Sequence, residues 1–286
     1  MAVRVIALAN QKGGVGKTTT AINLAACVAA AGRRVLLIDL DPQCNATSGI
    51  GVEQAPGRSI YAALLGETKL ADLVKETRIP NLHIVPSELD LAGAEIDIAR
   101  AERYLHKLND ALKPVHEQNM YDFVFIDCPP SLGILTMNAL TAAQSVIIPI
   151  QCEYYALEGL SVISRLLEQV RDGGANPRLE LEGILMTMYD GRTNLSGQVV
   201  EEVRSHFADK IYENVIPRNV RLSEAPSFGV PAVEYDASCT GAVAYRKFAK
   251  EFLRRADHKA AGAQPQPTPQ PTPPAPQPAP NPPPAP

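Results

Sequence analysis

The sequence predicts an α/β fold with a doubly wound, mostly parallel sheet, on three observations. An apolar run over residues 3–9 leads into the glycine-rich stretch NQKGGVGKTTT at residues 10–20 and then into an alanine-rich helical pattern. Short continuous apolar runs, of the kind that suits strands covered on both faces, alternate with helix-period segments down the chain. Two of those runs end in aspartate, LLIDLDPQ and FVFIDCPP. That places carboxylates at the carboxyl edge of a parallel sheet, where open α/β folds bind ligands.

Taken in order, residues 3–9 form the first strand, and residues 18–31 a buried helix stopped by Gly32, which accepts the left-handed conformation a helix end needs. Residues 35–39 form the next strand. Residues 52–57 read as a loop and 59–66 as a short surface helix. Further strands are expected at 82–85, 123–127, 146–150 and 183–187, and helices near 90–112, 135–143, 157–171, 195–207 and 241–255. Residues 1–257 are assigned to one domain and 258–286 to a disordered proline-rich tail, since 13 of the 25 prolines lie from Gln264 onward. The tail reads as a spacer, a ligand for a proline-binding domain, or an inert extension.

With 286 residues, 45% of them hydrophobic, the chain can bury a sizeable core. A net charge of -4 and a pI near 5.8 exclude a generally basic nucleic-acid coat, so DNA binding would need a local patch. Five scattered cysteines, Cys27, Cys44, Cys128, Cys152 and Cys239, include no C-x-x-C pair and read as reduced structural thiols. The first apolar run is too short for a signal peptide, and none approaches the roughly 18 residues of a membrane span. A soluble, cytoplasmic protein is expected.

The chemistry centres on residues 10–20. Gly13, Gly14 and Gly16 let the backbone curl and aim N–H groups at an anion, and the following helix adds its positive end. Val15 and Thr19 lie within the same loop. Lys17 would reach the β and γ phosphates of a nucleotide, and the Thr18 hydroxyl would ligate Mg²⁺. Gln11 stands where G-x-x-x-x-G-K-[ST] has its first glycine, and Lys12 supplies an extra cation. Asp41 and Asp127 stand where carboxylates can hold Mg²⁺ waters and orient an attacking water. Asp39 is either a contributor one step removed or a strand-end cap.

KGGVGKT resembles the deviant Walker A motif of the ParA/MinD group of P-loop NTPases, and NQKGGVGKTTTAINLAA with VLLIDLDPQCNATSG resembles its ParA/Soj partition branch. The likeness runs from about Val3 to about Leu253. It implies a Mg²⁺-dependent ATPase in which Asp127 is the Walker B acid and Asp41 belongs to the switch that positions the hydrolytic water. It implies that Lys12 reaches across a homodimer to the partner's nucleotide, a contribution on the order of 10³ to 10⁵ in rate. IPRN (216–219) matches the segment lining the adenine, which makes Pro217 and Arg218 base contacts. Glu153 is a candidate for the ribose or the partner subunit, or an ordinary surface glutamate.

On the last helix Arg246, Lys247, Lys250 and Arg254 fall within about a 100° arc opposite Tyr245, Phe248, Ala249 and Phe252. Periodicity alone leaves that stripe either a solvated face or a phosphate-binding one. The resemblance favours non-specific double-stranded DNA and adds Arg192 and Arg221 to the contact. Four to eight neutralised phosphates per dimer would give a log-log salt slope of roughly -4 to -7. Further implications are a ParB-like centromere-binding partner and association with the nucleoid. The chain starts at its first strand, so an N-terminal helix-turn-helix domain is not expected. Two competing readings share the loop: a membrane-cycling ATPase of the MinD type, which needs a basic amphipathic helix on lipid, and an iron protein of the nitrogenase-reductase type, which needs clustered cysteines.

Overall fold

A computed structural model describes residues 2–262. Its elements run β1 (Arg4–Leu8), α1 (Lys17–Ala30), β2 (Val35–Asp39), α2 (Asn45–Gly49), α3 (Ile60–Leu65), α4 (Leu70–Leu73), β3 (Lys75–Glu76), β4 (Leu82–Val85), α5 (Ala94–Ala99), α6 (Lys107–Gln118), β5 (Phe123–Asp127), α7 (Ile134–Ala142), β6 (Ser145–Gln151), α8 (Ala156–Asp172), β7 (Glu180–Thr187), α9 (Asn194–Phe207), α10 (Val220–Glu224), α11 (Ala232–Tyr235) and α12 (Thr240–Gly262). The strands form one sheet in the order β3-β4-β2-β5-β1-β6-β7. Only the β3–β4 pair is antiparallel.

Strands β2 and β5 are buried along their whole length, because helices cover both faces of the sheet. On one face lie α1 and α12, where Phe252 packs 5.3 Å from Phe123 and 5.6 Å from Phe125, centroid to centroid. Tyr245, Phe248, Ala249 and Phe252 are all buried there, which fixes the orientation of α12. Helices α3 and α5 to α9 contribute to the core on the opposite face. Strand β1 sits between β5 and β6, so the loop leaving it emerges with the end of β5 on one side and the end of β6 on the other. In register, Leu8 pairs with Asp127, and Asp127 with Asp39.

Three elements depart from the expectations. The single helix over 90–112 is instead a 3-10 turn (Leu89–Ala92), α5, a second 3-10 turn (Tyr104–His106) and α6. Periodicity was compatible with one helix, but the side chain of Asn138 on α7 accepts from Leu108 N–H at 3.2 Å and donates to the Tyr104 carbonyl at 2.9 Å. These bonds from another helix let the chain restart, with Arg103 in the left-handed region (φ 56°). The short surface helix over 59–66 exists as α3, capped by Ser59, but four of its six residues are buried. Helix α12 runs on to Gly262, beyond residue 255, so residues 258–262, which the sequence assigned to the disordered tail, are helical. The proline-rich tail lies, from residue 263, outside the described residues. No helix among them is long and apolar enough to cross a membrane.

Candidate nucleotide-binding site

The loop between β1 and α1 is held from below by Asn10, whose amide donates to the Pro149 carbonyl at 2.8 Å while its oxygen accepts from Lys12 N–H at 3.0 Å. Gly14 (φ 73°) and Gly16 (φ 85°) take left-handed conformations that a side chain would strain. Gly16 caps α1 with no side-chain partner, and no acidic residue stands in the first turn. The first amides of α1 are therefore left for an external anion. Lys17 is buried among these groups, its ammonium donating to the Lys12 carbonyl at 3.2 Å. Burial lowers its pKa, opposed by the nearby Asp127 and Asp41 carboxylates.

Asp127 and Asp41 act on this lysine, Asp39 stands beside them, and the three carboxylates are not equivalent. Asp39 accepts from Asp41 N–H (3.2 Å) and from both the amide (2.7 Å) and hydroxyl (2.6 Å) of Thr47. Burial nevertheless pushes it up to about 6, against the pull of Thr47. It acts as a structural brace for the Asp41 loop. Asp41 accepts from Gln43 N–H at 3.0 Å. Asp127 is fully buried and neither oxygen makes a hydrogen bond of ordinary geometry, the Thr18 hydroxyl standing only near enough to favour its charged form. Burial and then the Asp39 carboxylate raise its pKa well above the usual aspartate range, only partly offset by the Thr18 hydroxyl and Lys17.

An orphaned buried carboxylate beside a phosphate loop is matched chemically to a hydrated divalent cation. Among the described residues no group of three or more His, Cys, Asp or Glu side chains is placed to hold a metal.

Beyond Thr18 and Thr19 a cleft of about 360 Å³ opens. Pro217 and Arg218, expected from the sequence to contact the adenine, line this cleft, hung from the end of β7 by Ile216 N–H to Met186 O (2.8 Å) and Arg218 N–H to Tyr189 O (2.9 Å). Sequence reasoning missed Asn45, Ser48, Thr187, Met188 and Tyr245, which line it too. Asn45 and Ser48 follow Asp41 in DPQCNATSG and were within reach of that motif. Thr187 and Met188 stand at a strand's carboxyl end, whereas nothing local marks Tyr245.

The other candidates lie around this centre. The Lys12 ammonium points out of the loop and pairs with Glu153 at 2.9 Å, both side chains about half exposed. A pair so solvated is worth about 1 kcal/mol or less. Arg221 on α10 is held by Glu224 (2.8 Å) and Asp236 (3.6 Å), and Arg192 by a two-pronged contact to Asp190. On α12, Arg246 donates to the Ala237 carbonyl and Arg254 pairs with Glu213. Lys247 and Lys250 are exposed and make no ion pair among the described residues. The expected stripe is thus less freely cationic than charge counting implied. The five cysteines are free, and all but Cys239 are buried.

A doubly wound sheet, a phosphate loop at its topological switch point and acids at the ends of β2 and β5 define a P-loop nucleotide-binding protein with a second lysine ahead of its glycines. A family model described as an AAA domain matches residues 3–181. The chromosome partitioning protein ParA of Caulobacter vibrioides is 51% identical over 262 residues, covering 91% of this chain and 98% of that protein. The sporulation initiation inhibitor protein Soj of Bacillus subtilis is 53% identical over 249 residues, covering 87% and 97%. Among solved structures, a Mycobacterium smegmatis protein described as cobyrinic acid a,c-diamide synthase with bound ADP and magnesium aligns with a TM-score of 0.77 and 37% identity, covering 90% of this chain and 96% of that one. The chain belongs to the ParA/Soj family of chromosome-partitioning ATPases.

Proposed function

We propose that this protein hydrolyses ATP to drive DNA segregation, riding non-specifically on duplex DNA as an ATP-bound homodimer and leaving it after hydrolysis stimulated by a ParB-like partner. The observation that carries the reading is the contrast between two lysines of one loop. Lys17 is buried inside the site, whereas Lys12 points out of it and is tied only by the solvated pair to Glu153. A cation so placed is available to a second subunit, and exchanging its glutamate for a neighbouring phosphate costs little.

In this reading the Gly13–Thr19 backbone and Lys17 hold the phosphates, and Pro217 and Arg218 contact the adenine. Thr18 would ligate Mg²⁺ and Asp127 would hold it through water; the ion would neutralise charge on the β and γ phosphates. Asp41 orients the water that attacks the γ phosphorus while the bond to the ADP oxygen breaks. The partner's Lys12 stabilises the charge that shifts onto that oxygen. In this reading Arg192, Arg221, Arg246, Lys247 and Lys250 contact DNA phosphates; Lys247 and Lys250 are exposed, whereas Arg192 and Arg221 would exchange their carboxylate partners for phosphate. The protein would be cytoplasmic and nucleoid-associated. Against the MinD-type alternative stands α12, whose apolar residues are spent on the core.

ATP turnover with DNA and a ParB-like partner, measured against protein concentration, tests the reading. Specific activity should rise with concentration, and Lys12→Ala should remove about 10³-fold or more of the stimulated rate while ATP affinity stays within a few-fold. Concentration-independent turnover unaffected by Lys12→Ala would refute it.

A further inference from the structure

The last residue of β7, Thr187, carries a buried hydroxyl that lies 2.9 Å from the Val15 carbonyl and 3.0 Å from the Ile150 carbonyl. Both neighbours are acceptors, so the hydroxyl is the donor and its one proton is shared between the loop and the end of β6. Its methyl faces the phosphate loop as well: a Cβ built on Gly16 would sit 3.9 Å from Thr187 Cγ2. One residue upstream in the loop, the Gly14 carbonyl accepts from the Gln151 amide at 3.3 Å. Two successive loop carbonyls are therefore turned toward the ends of β6 and β7.

Peptide geometry gives this a consequence. The chain has no cis peptide bonds among its described residues, and in a trans peptide the C=O of one residue and the N–H of the next point to opposite sides of the same plane. Tying the Val15 carbonyl to Thr187 therefore aims the Gly16 N–H away from β7, and tying the Gly14 carbonyl to Gln151 does the same for the Val15 N–H. Glycines at 14 and 16 make these planes easy to turn. Some outside group must choose their direction.

We infer that Thr187 is a positioning residue for phosphate recognition: its hydroxyl fixes the Val15–Gly16 peptide so that the loop's amides converge on the anion before it arrives. Gln151 plays the lesser, more exposed part of the same device. The inference rests on the reading of the loop as a nucleotide-phosphate site and adds a residue outside the loop motif to it. Because Met188 follows directly in the left-handed region (φ 52°) and the base cleft begins there, one strand end would set the loop that holds phosphates beside the segment that holds the base.

The test compares ligands with and without phosphates. Thr187→Val keeps the shape and the methyl against Gly16 but loses the donor; Thr187→Ser keeps the donor. Titration calorimetry with Mg-ADP, and ligand-observed NMR with adenosine, give the two affinities. Thr187→Val should weaken ADP about tenfold and adenosine, whose cleft Thr187 also lines, by no more than about threefold, while Thr187→Ser should restore ADP to within about threefold of the parent. Gln151→Leu should cost ADP a few-fold. If the valine unfolds the protein, Thr187→Ala reads the same ratio without added shape. Equal losses for ADP and adenosine, no loss for ADP, or a serine as poor as the valine would overturn the inference. Failure of the unsubstituted protein to bind ADP at all would instead defeat the nucleotide reading, and this inference with it.

Discussion

Asp127→Asn separates what the site costs the empty protein from what it gains with ligand. Asp127 is fully buried, neither oxygen makes a hydrogen bond of ordinary geometry, and Asp39 pairs with it in the sheet register. A buried polar group left unsatisfied costs about 1–3 kcal/mol, more when charged. A neutral amide there is still an unpaired polar group but no longer a buried charge, so the substitution should stabilise the ligand-free protein by about 1 kcal/mol at neutral pH, or about 2–4 °C in Tm at this chain length. The same change removes the charge meant for the cation, so of the total ATP stabilisation, about 2.7 kcal/mol at a hundredfold excess over Kd, the Mg²⁺-dependent part should vanish.

The pH dependence follows from the raised pKa values. With Asp39 pushed up to about 6 and Asp127 well above its usual range, the folded state binds more protons than the unfolded one between the ordinary aspartate range and those values. Stability is then lost as pH rises through that window and regained as it falls. The advantage of Asp127→Asn should thus be largest near pH 7.5 and shrink toward pH 5. Thermal unfolding with and without Mg-ATP across that range is the assay. A variant less stable than the parent without ligand at pH 7.5, or one with an unchanged Mg²⁺-dependent shift, would refute the reasoning.

Asp41→Ala should lower ATP turnover by at least about 100-fold with ATP affinity unchanged, and the ATP form should persist on DNA; rapid release from DNA would contradict the assignment. Arg221→Ala should weaken DNA binding and flatten the salt slope by roughly 0.9 per arginine removed, with ATP turnover in the absence of DNA unaffected. Gly51→Ala should destabilise the fold by about 1–3 kcal/mol, since Gly51 has φ 79° and an added Cβ would lie 2.7 Å from the Gly229 carbonyl; a Tm within a degree of the parent would argue against that close crossing.

The phosphate loop and the acids at 39, 41 and 127 were legible because each is local: glycines, lysine and threonine at fixed spacing, and aspartates closing apolar runs. The parallel sheet was legible for the same reason, through the alternation of strand and helix patterns. What escaped depends on distant partners. The helix over 90–112 breaks because Asn138, on another helix, bonds the chain at Tyr104 and Leu108. The two-residue strand β3 pairs only at the edge of β4 and is too short to leave a period. Thr187 and Tyr245 reach the site through the topology of β7 and α12. The basic residues were visible as charges, but their pairing with Asp190, Glu224, Asp236 and Glu213 is a tertiary fact that charge counting passes over.

The most direct test is binding to random-sequence duplex DNA, with ATP or ADP, across a salt series. Binding with ATP and not ADP, with a log-log salt slope of roughly -4 to -7, is the expected result. Equal binding in both nucleotide states, a flat salt dependence, or no binding in either state would contradict a nucleotide-switched rider on DNA.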